Sequence, residues 1–185
     1  MIFKENICGK FVYLRSADIV DAEFTLSLRK DPELTRYMPT LNITVEQQCA
    51  WIESQRNKEN DYFFVVRNFL NQPIGTVSLY NIYGKTAETG RLVLIGNALE
   101  NTEASLLLFR FGFNYLQLEQ ITGYVYENNK RATRFNSLFG CVTGEPEKHE
   151  NGKMIRKTLI TRDSFAIAEK HLMRILYPEK KCSTY

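Results

Sequence analysis

The chain has 185 residues, 44% hydrophobic, 12% aromatic and 24% charged, which excludes a disordered or collagen-like polymer and predicts one domain spanning 1–185. Lys and Arg number 24 against 21 Asp and Glu, and a net charge of +3 is too small to predict nucleic-acid binding. Cys8, Cys49, Cys141 and Cys182 form no C-x-x-C pair, and His149 and His171 give no zinc-ligand spacing. Neither a metal nor a disulfide framework is expected. The apolar stretches are short and broken by charge, so no membrane partner is expected. The thiols predict a reducing, cytoplasmic location.

In chain order, Phe11 to Arg15 reads as a strand. A helical pattern begins at Ser16 and carries Ala17, Val20, Ala22, Phe24, Leu26 and Leu28. Asp31-Pro32 interrupts it, and Pro32 opens a short second helical turn reaching Met38. Thr44 and Gln47 form a capping box for a helix with Val45, Cys49, Trp51 and Ile52. The period then turns to that of strands: 62–66, 74–80 after the Asn71-Gln72-Pro73 turn, and 86–95 after Tyr83-Gly84-Lys85 make an antiparallel meander. Gly96 to Glu100 reads as a loop and Thr102 to Leu118 as the longest helix. A strand at 121–126 follows, then a helix at 129–139 ended by Gly140. Strands near 141–147 and 154–161 flank the Asn151-Gly152 turn. Asp163 caps a last helix, 163–176, before a tail, 177–185. The fold class is α/β (α+β): a mixed sheet with helices on both faces.

Glu127 to Cys141 resembles a signature of the GNAT superfamily of acyl-CoA N-acyltransferases. Asn129, Ala132, Phe135 and Gly140 fit that signature, and Cys141 replaces its usual aromatic residue. The similarity covers about residues 10–162. Leu14-Arg15, Arg29 to Pro32, Gln47 to Ile52 and Pro73-Ile74-Gly75 resemble the branch holding ribosomal-protein N-terminal acetyltransferases. Arg29 to Val66 also resembles enzymes that acetylate amino sugars on nucleotide carriers.

The resemblance implies a twisted, mostly antiparallel sheet that splays between 86–95 and 121–126. The unpaired edge at Leu92, Val93 and Leu94 then bonds the pantetheine of acetyl-CoA as a strand would. Gly96, Asn97, Asn101 and Thr102 present N–H groups to the pyrophosphate at a helix N-terminus, and Asn129 reaches the pantetheine arm. The chain departs from the family at this loop, which lacks a basic residue and paired glycines and places Glu100 and Glu103 near a diphosphate. Arg131 and Arg134, beside Lys130, are candidates to hold the adenosine phosphate instead. Asn136 stands where many members carry a proton-donating Tyr. Glu88 is the candidate base that strips the ammonium of the acceptor. Tyr124 and Tyr126 are the further catalytic candidates, and Tyr37 and Met38 belong to the acceptor cleft. The implied reaction is direct acetyl transfer to a small-molecule amine, a nucleotide-linked amino sugar foremost, or to a protein N-terminus, by a monomer or homodimer. A relative that keeps the fold as a binding module and has lost CoA is the alternative.

Overall fold

The run Tyr62 to Val66 is apolar at every position because helices cover both faces of the strand it forms. The computed structural model describes residues 1–178, so Lys180, Lys181 and Cys182 of the tail lie outside the described residues. Eight strands make one sheet: β1 Ile7–Cys8, β2 Val12–Ser16, β3 Tyr62–Asn68, β4 Pro73–Tyr83, β5 Thr86–Leu94, β6 Gln120–Tyr126, β7 Val142–Lys148 and β8 Met154–Thr161. Their spatial order is β1-β2-β3-β4-β5-β6-β8-β7. Every pairing is antiparallel except β5 with β6.

The helices are α1 Ala22–Lys30, α2 Val45–Asn57, α3 Ala98–Arg110, α4 Lys130–Ser137 and α5 Arg162–Leu176. On one face Phe64, Val77, Leu79, Ala87 and Ile121 pack with Leu106 and Leu108 of α3 and Phe165 and Leu172 of α5. On the other, Phe63 and Val65 pack with Ala22 of α1 and Ile52 of α2. The expected mixed, mostly antiparallel sheet with helices on both faces is therefore present. No helix among the described residues is long and apolar enough to cross a membrane.

Local chemistry moves several expected boundaries. Ser16 remains in β2, paired with Phe64, and Asp18 caps a short 3-10 turn, Ile19–Asp21, that delays α1 to Ala22. Pro32 opens no helix. Asp31 Oδ1 accepts the N–H groups of Glu33 and Leu34, and the segment stays a series of turns. The capping box of Thr44 and Gln47 forms as expected.

Helix α3 starts at Ala98, four residues before the expected Thr102, because Asn97 caps it. It ends at Arg110 and passes into a π-turn, Phe111–Tyr115, instead of running to Leu118. The wider turn stacks Phe111 on Tyr115, with centroids 5.0–5.2 Å from Phe3 and from each other. Helix α4 closes at Ser137, short of Phe139, and Thr161 replaces Asp163 as the cap of α5.

Candidate functional site

The parallel pair β5–β6 is joined only at Thr86/Gln120, Ala87/Ile121 and Glu88/Thr122. Beyond that point β6 stays with β8 as far as Tyr126/Ile155, while β5 stays with β4 as far as Leu94/Gly75. The two strands therefore diverge into a fork whose apex is Glu88/Thr122. The edge of β5 at Leu92 to Leu94 faces the gap with no strand on that side.

A β-bulge sits at the mouth of the fork. Gly90 pairs with Ser78 and Val93 with Thr76, so Arg91 and Leu92 together oppose Val77. Arg91 has φ +49°, a left-handed conformation that a non-glycine residue holds only when its surroundings over-determine it. Thr76 Oγ1 donates to the Arg91 carbonyl at 2.8 Å. The guanidinium makes two bonds to Asp61, at 2.7 and 3.0 Å, and lies over the rings of Tyr80, 4.6 Å away, and Trp51, 5.3 Å away. Burial would raise the Asp61 carboxyl, but the hydrogen bond and charge of Arg91, with Gln55, hold it below the ordinary carboxylate range. Arg91 thus pairs with Asp61, not with Glu88.

The far end of the fork meets the first turn of α3. Asn97 Oδ1 accepts the N–H groups of Leu99 and Glu100, and Glu100 Oε2 accepts that of Asn97. Of the donors that the resemblance assigns to a pyrophosphate, the Asn97 N–H is taken by the helix's own capping box and the Asn101 N–H by the Asn97 carbonyl. Asn101 does not face outward as a donor: its Nδ2 bonds the Gly96 carbonyl, its Oδ1 is buried without a partner, and Thr102 Oγ1 donates back to the Ala98 carbonyl.

Glu103 is not near this end. It is fully buried and turned toward the β1–β2 turn. There its carboxylate accepts the N–H groups of Lys10, Phe11 and Val12 at 2.6–2.8 Å and the hydroxyl of Tyr177. Gly9 is required beside it, since a Cβ there would stand 2.4 Å from the Glu103 carboxyl carbon.

At the apex, Glu88 on β5 lies opposite Tyr80 on β4 and Thr122 on β6, so all three share the face that carries α1 and α2. Tyr80 was not singled out from the sequence. Its register opposite Glu88, readable only once the bulged hairpin is aligned, is the signal that would have found it. Tyr124 shares the face, is 47% exposed and lies tilted against His149, with ring centroids 5.0 Å apart. Burial, then Tyr126 and Glu88, push its phenol up. Tyr126 is buried, lies beyond the apex, and its hydroxyl accepts the side-chain amide of Asn151 at 2.8 Å.

A cavity of about 500 Å³ opens between the α1–α2 connection, the β6–α4 connection and the β7–β8 turn. Tyr37 and Tyr126 form two of its walls with ring centroids 6.4 Å apart, and the Tyr37 hydroxyl donates to the Asn128 carbonyl at 3.3 Å. Arg36 and Lys153 lie over these two rings at 5.8 and 5.3 Å and line the same space, with Glu127 as its one acid. Met38 is not among the lining residues. Arg29, whose Nε is buried without a partner, ties α1 to this wall through the Pro39 carbonyl, and burial lowers its pKa.

Asn129 spends its side-chain oxygen on the Ala132 N–H as the cap of α4. Arg131 and Arg134 are exposed, and Arg134 joins Lys130 and Arg156 around a second depression of about 320 Å³. No cluster of three or more His, Cys, Asp and Glu side chains that could hold a metal occurs among the described residues.

Residues 12–142 match the family model described as an acetyltransferase (GNAT) domain. Comparison with the curated proteins returned no match. Among solved structures, apo FdhC, a nucleotide-linked sugar GNAT, is 24% identical over 95% of this chain and 99% of its own, with a TM-score of 0.79. A GCN5-related N-acetyltransferase from Brucella melitensis is 15% identical over 96% and 87%, TM-score 0.79. Spermidine N-acetyltransferase from Vibrio cholerae, solved in complex with CoA and spermine, is 18% identical over 84% and 98%, TM-score 0.74. At these identities the three likenesses speak for the fold.

Proposed function

The chain belongs to the GNAT acetyltransferase family, and from that premise we propose that it transfers the acetyl group of acetyl-CoA directly to a primary amine borne by an anionic, ring-containing acceptor, a nucleotide-linked amino sugar foremost. The observation that carries the acceptor class is the cavity beside the fork, where two cations, Arg36 and Lys153, rim the facing rings of Tyr37 and Tyr126. Tyrosine faces offer a nucleobase or sugar a stacking surface, and the cations suit a phosphate. The same two cations repel a polyamine and a basic peptide.

The site fits acetyl-CoA at one end and not at the other. The unpaired edge of β5 suits the pantetheine amides, which bond it as a strand would. The first turn of α3 is self-capped, so phosphates bind there only after displacing Asn97 or Glu100 from its N–H groups. Arg131 and Arg134 on α4, both exposed, are the cations assigned to share that load.

Chemistry then follows from the face shared by Glu88, Tyr80 and Tyr124. The acceptor arrives as an ammonium, and Glu88 takes its proton, directly or through a water. The free nitrogen attacks the thioester carbon, and backbone N–H groups at the bulge of β5 meet the developing oxyanion. The strained Arg91 backbone, fastened by Asp61 and Thr76, keeps those groups in place before substrate arrives.

The test has two stages. Calorimetry with acetyl-CoA and with CoA should show binding at tens of micromolar or tighter, whereas none at millimolar ligand would return the chain to the reading of a binding module without CoA. Turnover is then compared among a nucleoside-diphosphate amino sugar, the free amino sugar, spermidine and an N-terminal peptide. The nucleotide-linked sugar should lead the free sugar at least tenfold in kcat/KM. Parity between them, or a lead for spermidine or the peptide, would overturn the acceptor class.

A further inference from the structure

The breaking of a thioester leaves a thiolate, and a buried thiolate needs a donor. Position 136, on α4, carries Asn. The phenol nearest the apex is Tyr80. Its hydroxyl lies directly over Gly90, only 2.6 Å from where a Cβ on that glycine would stand, with Cε1 and Cζ of the ring at 3.0 and 3.2 Å. Gly90 is two residues past Glu88, the last β5 residue paired with β6, so this hydroxyl stands at the first position where the fork is open. Tyr124 leans instead toward His149, and the Tyr126 hydroxyl is engaged by Asn151.

We infer that the Tyr80 hydroxyl donates the hydrogen bond that receives the departing sulfur of acetyl-CoA, with side-chain-less Gly90 leaving the room it needs. The inference rests on the acetyl-transfer reading above. When the amine nitrogen attacks, a C–N bond forms and the carbonyl becomes an oxyanion. Its collapse breaks the C–S bond, and the electron pair leaves on sulfur. Tyr80 lends a hydrogen bond to that thiolate and keeps its own proton. The proton that converts the thiolate to a thiol is the one the nitrogen sheds, passed on by Glu88. The proton removed earlier from the ammonium goes to solvent, so charge and atoms balance.

The surroundings suit a donor better than an acid. Burial first, then the charge of Glu88 and the phenol of Tyr124, push the Tyr80 phenol up, with Asp61 adding to the rise and Arg91 opposing it. It stays protonated throughout the neutral range. Arg91, lying over the ring face at 4.6 Å, holds the ring in its pose.

The experiment needs no acceptor. CoA is bound to the wild-type chain, to Tyr80→Phe and to Gly90→Ala, and the thiol is titrated by the ultraviolet absorbance of its thiolate. A hydrogen bond to a charged sulfur is worth about one pKa unit or more, so Tyr80→Phe should raise the pKa of the bound thiol by that amount. CoA affinity at acid pH, where the sulfur is a neutral thiol, should hold. Gly90→Ala, which keeps the phenol but displaces its hydroxyl, should reproduce the rise and decides the matter should Tyr80→Phe fail to fold. Equal thiol pKa values in wild type and variants would overturn the inference, as would a rise produced by Tyr124→Phe and not by Tyr80→Phe. Failure of the wild type to bind CoA would overturn the acetyl-transfer reading itself, and this inference with it.

Discussion

Replacing Glu103 by Gln separates two views of the same residue. By its place in the sequence Glu103 adds negative charge beside a diphosphate, so neutralising it would tighten CoA. In the fold it is a buried clasp and its removal costs stability instead. Oε2 holds Phe11 and Val12 N–H, and Oε1 holds Lys10 N–H and the Tyr177 hydroxyl. A glutamine oxygen in the Oε2 position keeps two of these bonds without their charge assistance, a loss of roughly 1 kcal/mol each. Its NH₂ then faces the Lys10 N–H donor to donor, for about 1–3 kcal/mol more. Relief from burying a charge returns part of the total. The net expectation is about 3 kcal/mol, or about 6–12 °C in Tm for a chain this size. Urea unfolding followed by circular dichroism measures it, with CoA titrated into the folded variant. A loss below about 1 kcal/mol, or a folded variant that binds CoA more tightly, would refute the placement of Glu103.

Glu100→Gln should act in the opposite way: it keeps a capping acceptor, removes a charge beside the first turn of α3, and should tighten CoA by about threefold at low salt, an advantage that fades in calorimetry at high ionic strength. Glu88→Gln should leave acetyl-CoA affinity intact while turnover on the best acceptor falls about a hundredfold; near wild-type turnover would show that Glu88 is not the base. Arg134→Ala, or Arg131→Ala, should weaken CoA more than dephospho-CoA and flatten the salt dependence of binding; an unchanged ratio of the two ligands would leave these arginines as solvated surface. Burial, then the hydrogen bond and charge of Glu103, push the Tyr177 phenol up to about 12. A folded value raised above the ordinary one near 10 contributes stability below that pH and loses it as pH climbs through about 12. Tyr177→Phe should therefore flatten the alkaline limb of stability measured by urea unfolding.

What was legible in the sequence follows the range of the forces involved. Thr44 and Gln47 announced α2 because a capping box is complete within four residues. The apolar pattern of β3 and the turn at Asn71 to Pro73 fixed the meander for the same reason. Asn97 is also a local cap, yet Gly96 before it reads as a loop, and the pair hid the true start of α3. Glu103 could not be read at all, because its partners lie 74 to 93 residues away along the chain and no nearby residue hints at a buried carboxylate. Tyr80 was invisible for a subtler reason. Alternation alone places it on a face, but its approach to Gly90 depends on a bulge one turn of the pleat further on. Tyr37, by contrast, was singled out through the resemblance, which puts it in the acceptor cleft, and the fold brings it to Tyr126 and the cavity.

The fork also bears on solubility. An unpaired strand edge is ordinarily an invitation to another chain, and long flat edges nucleate fibres. Here the exposed edge of β5 lies inside the sheet rather than at its rim. Inserting a peptide strand between two others requires roughly 4.8 Å on each side along its whole length. The gap narrows to a single strand spacing where Glu88 meets Thr122, so a wedge of this shape has no room for a full strand at its apex. A thin arm such as pantetheine, with only two amides to pair and no strand's length of side chains, can enter it from the open end. The divergence that creates a binding edge thereby also rations who may use it, and β-strand addition is hindered along this inner stretch of β5, unlike at the rim strands β1 and β7.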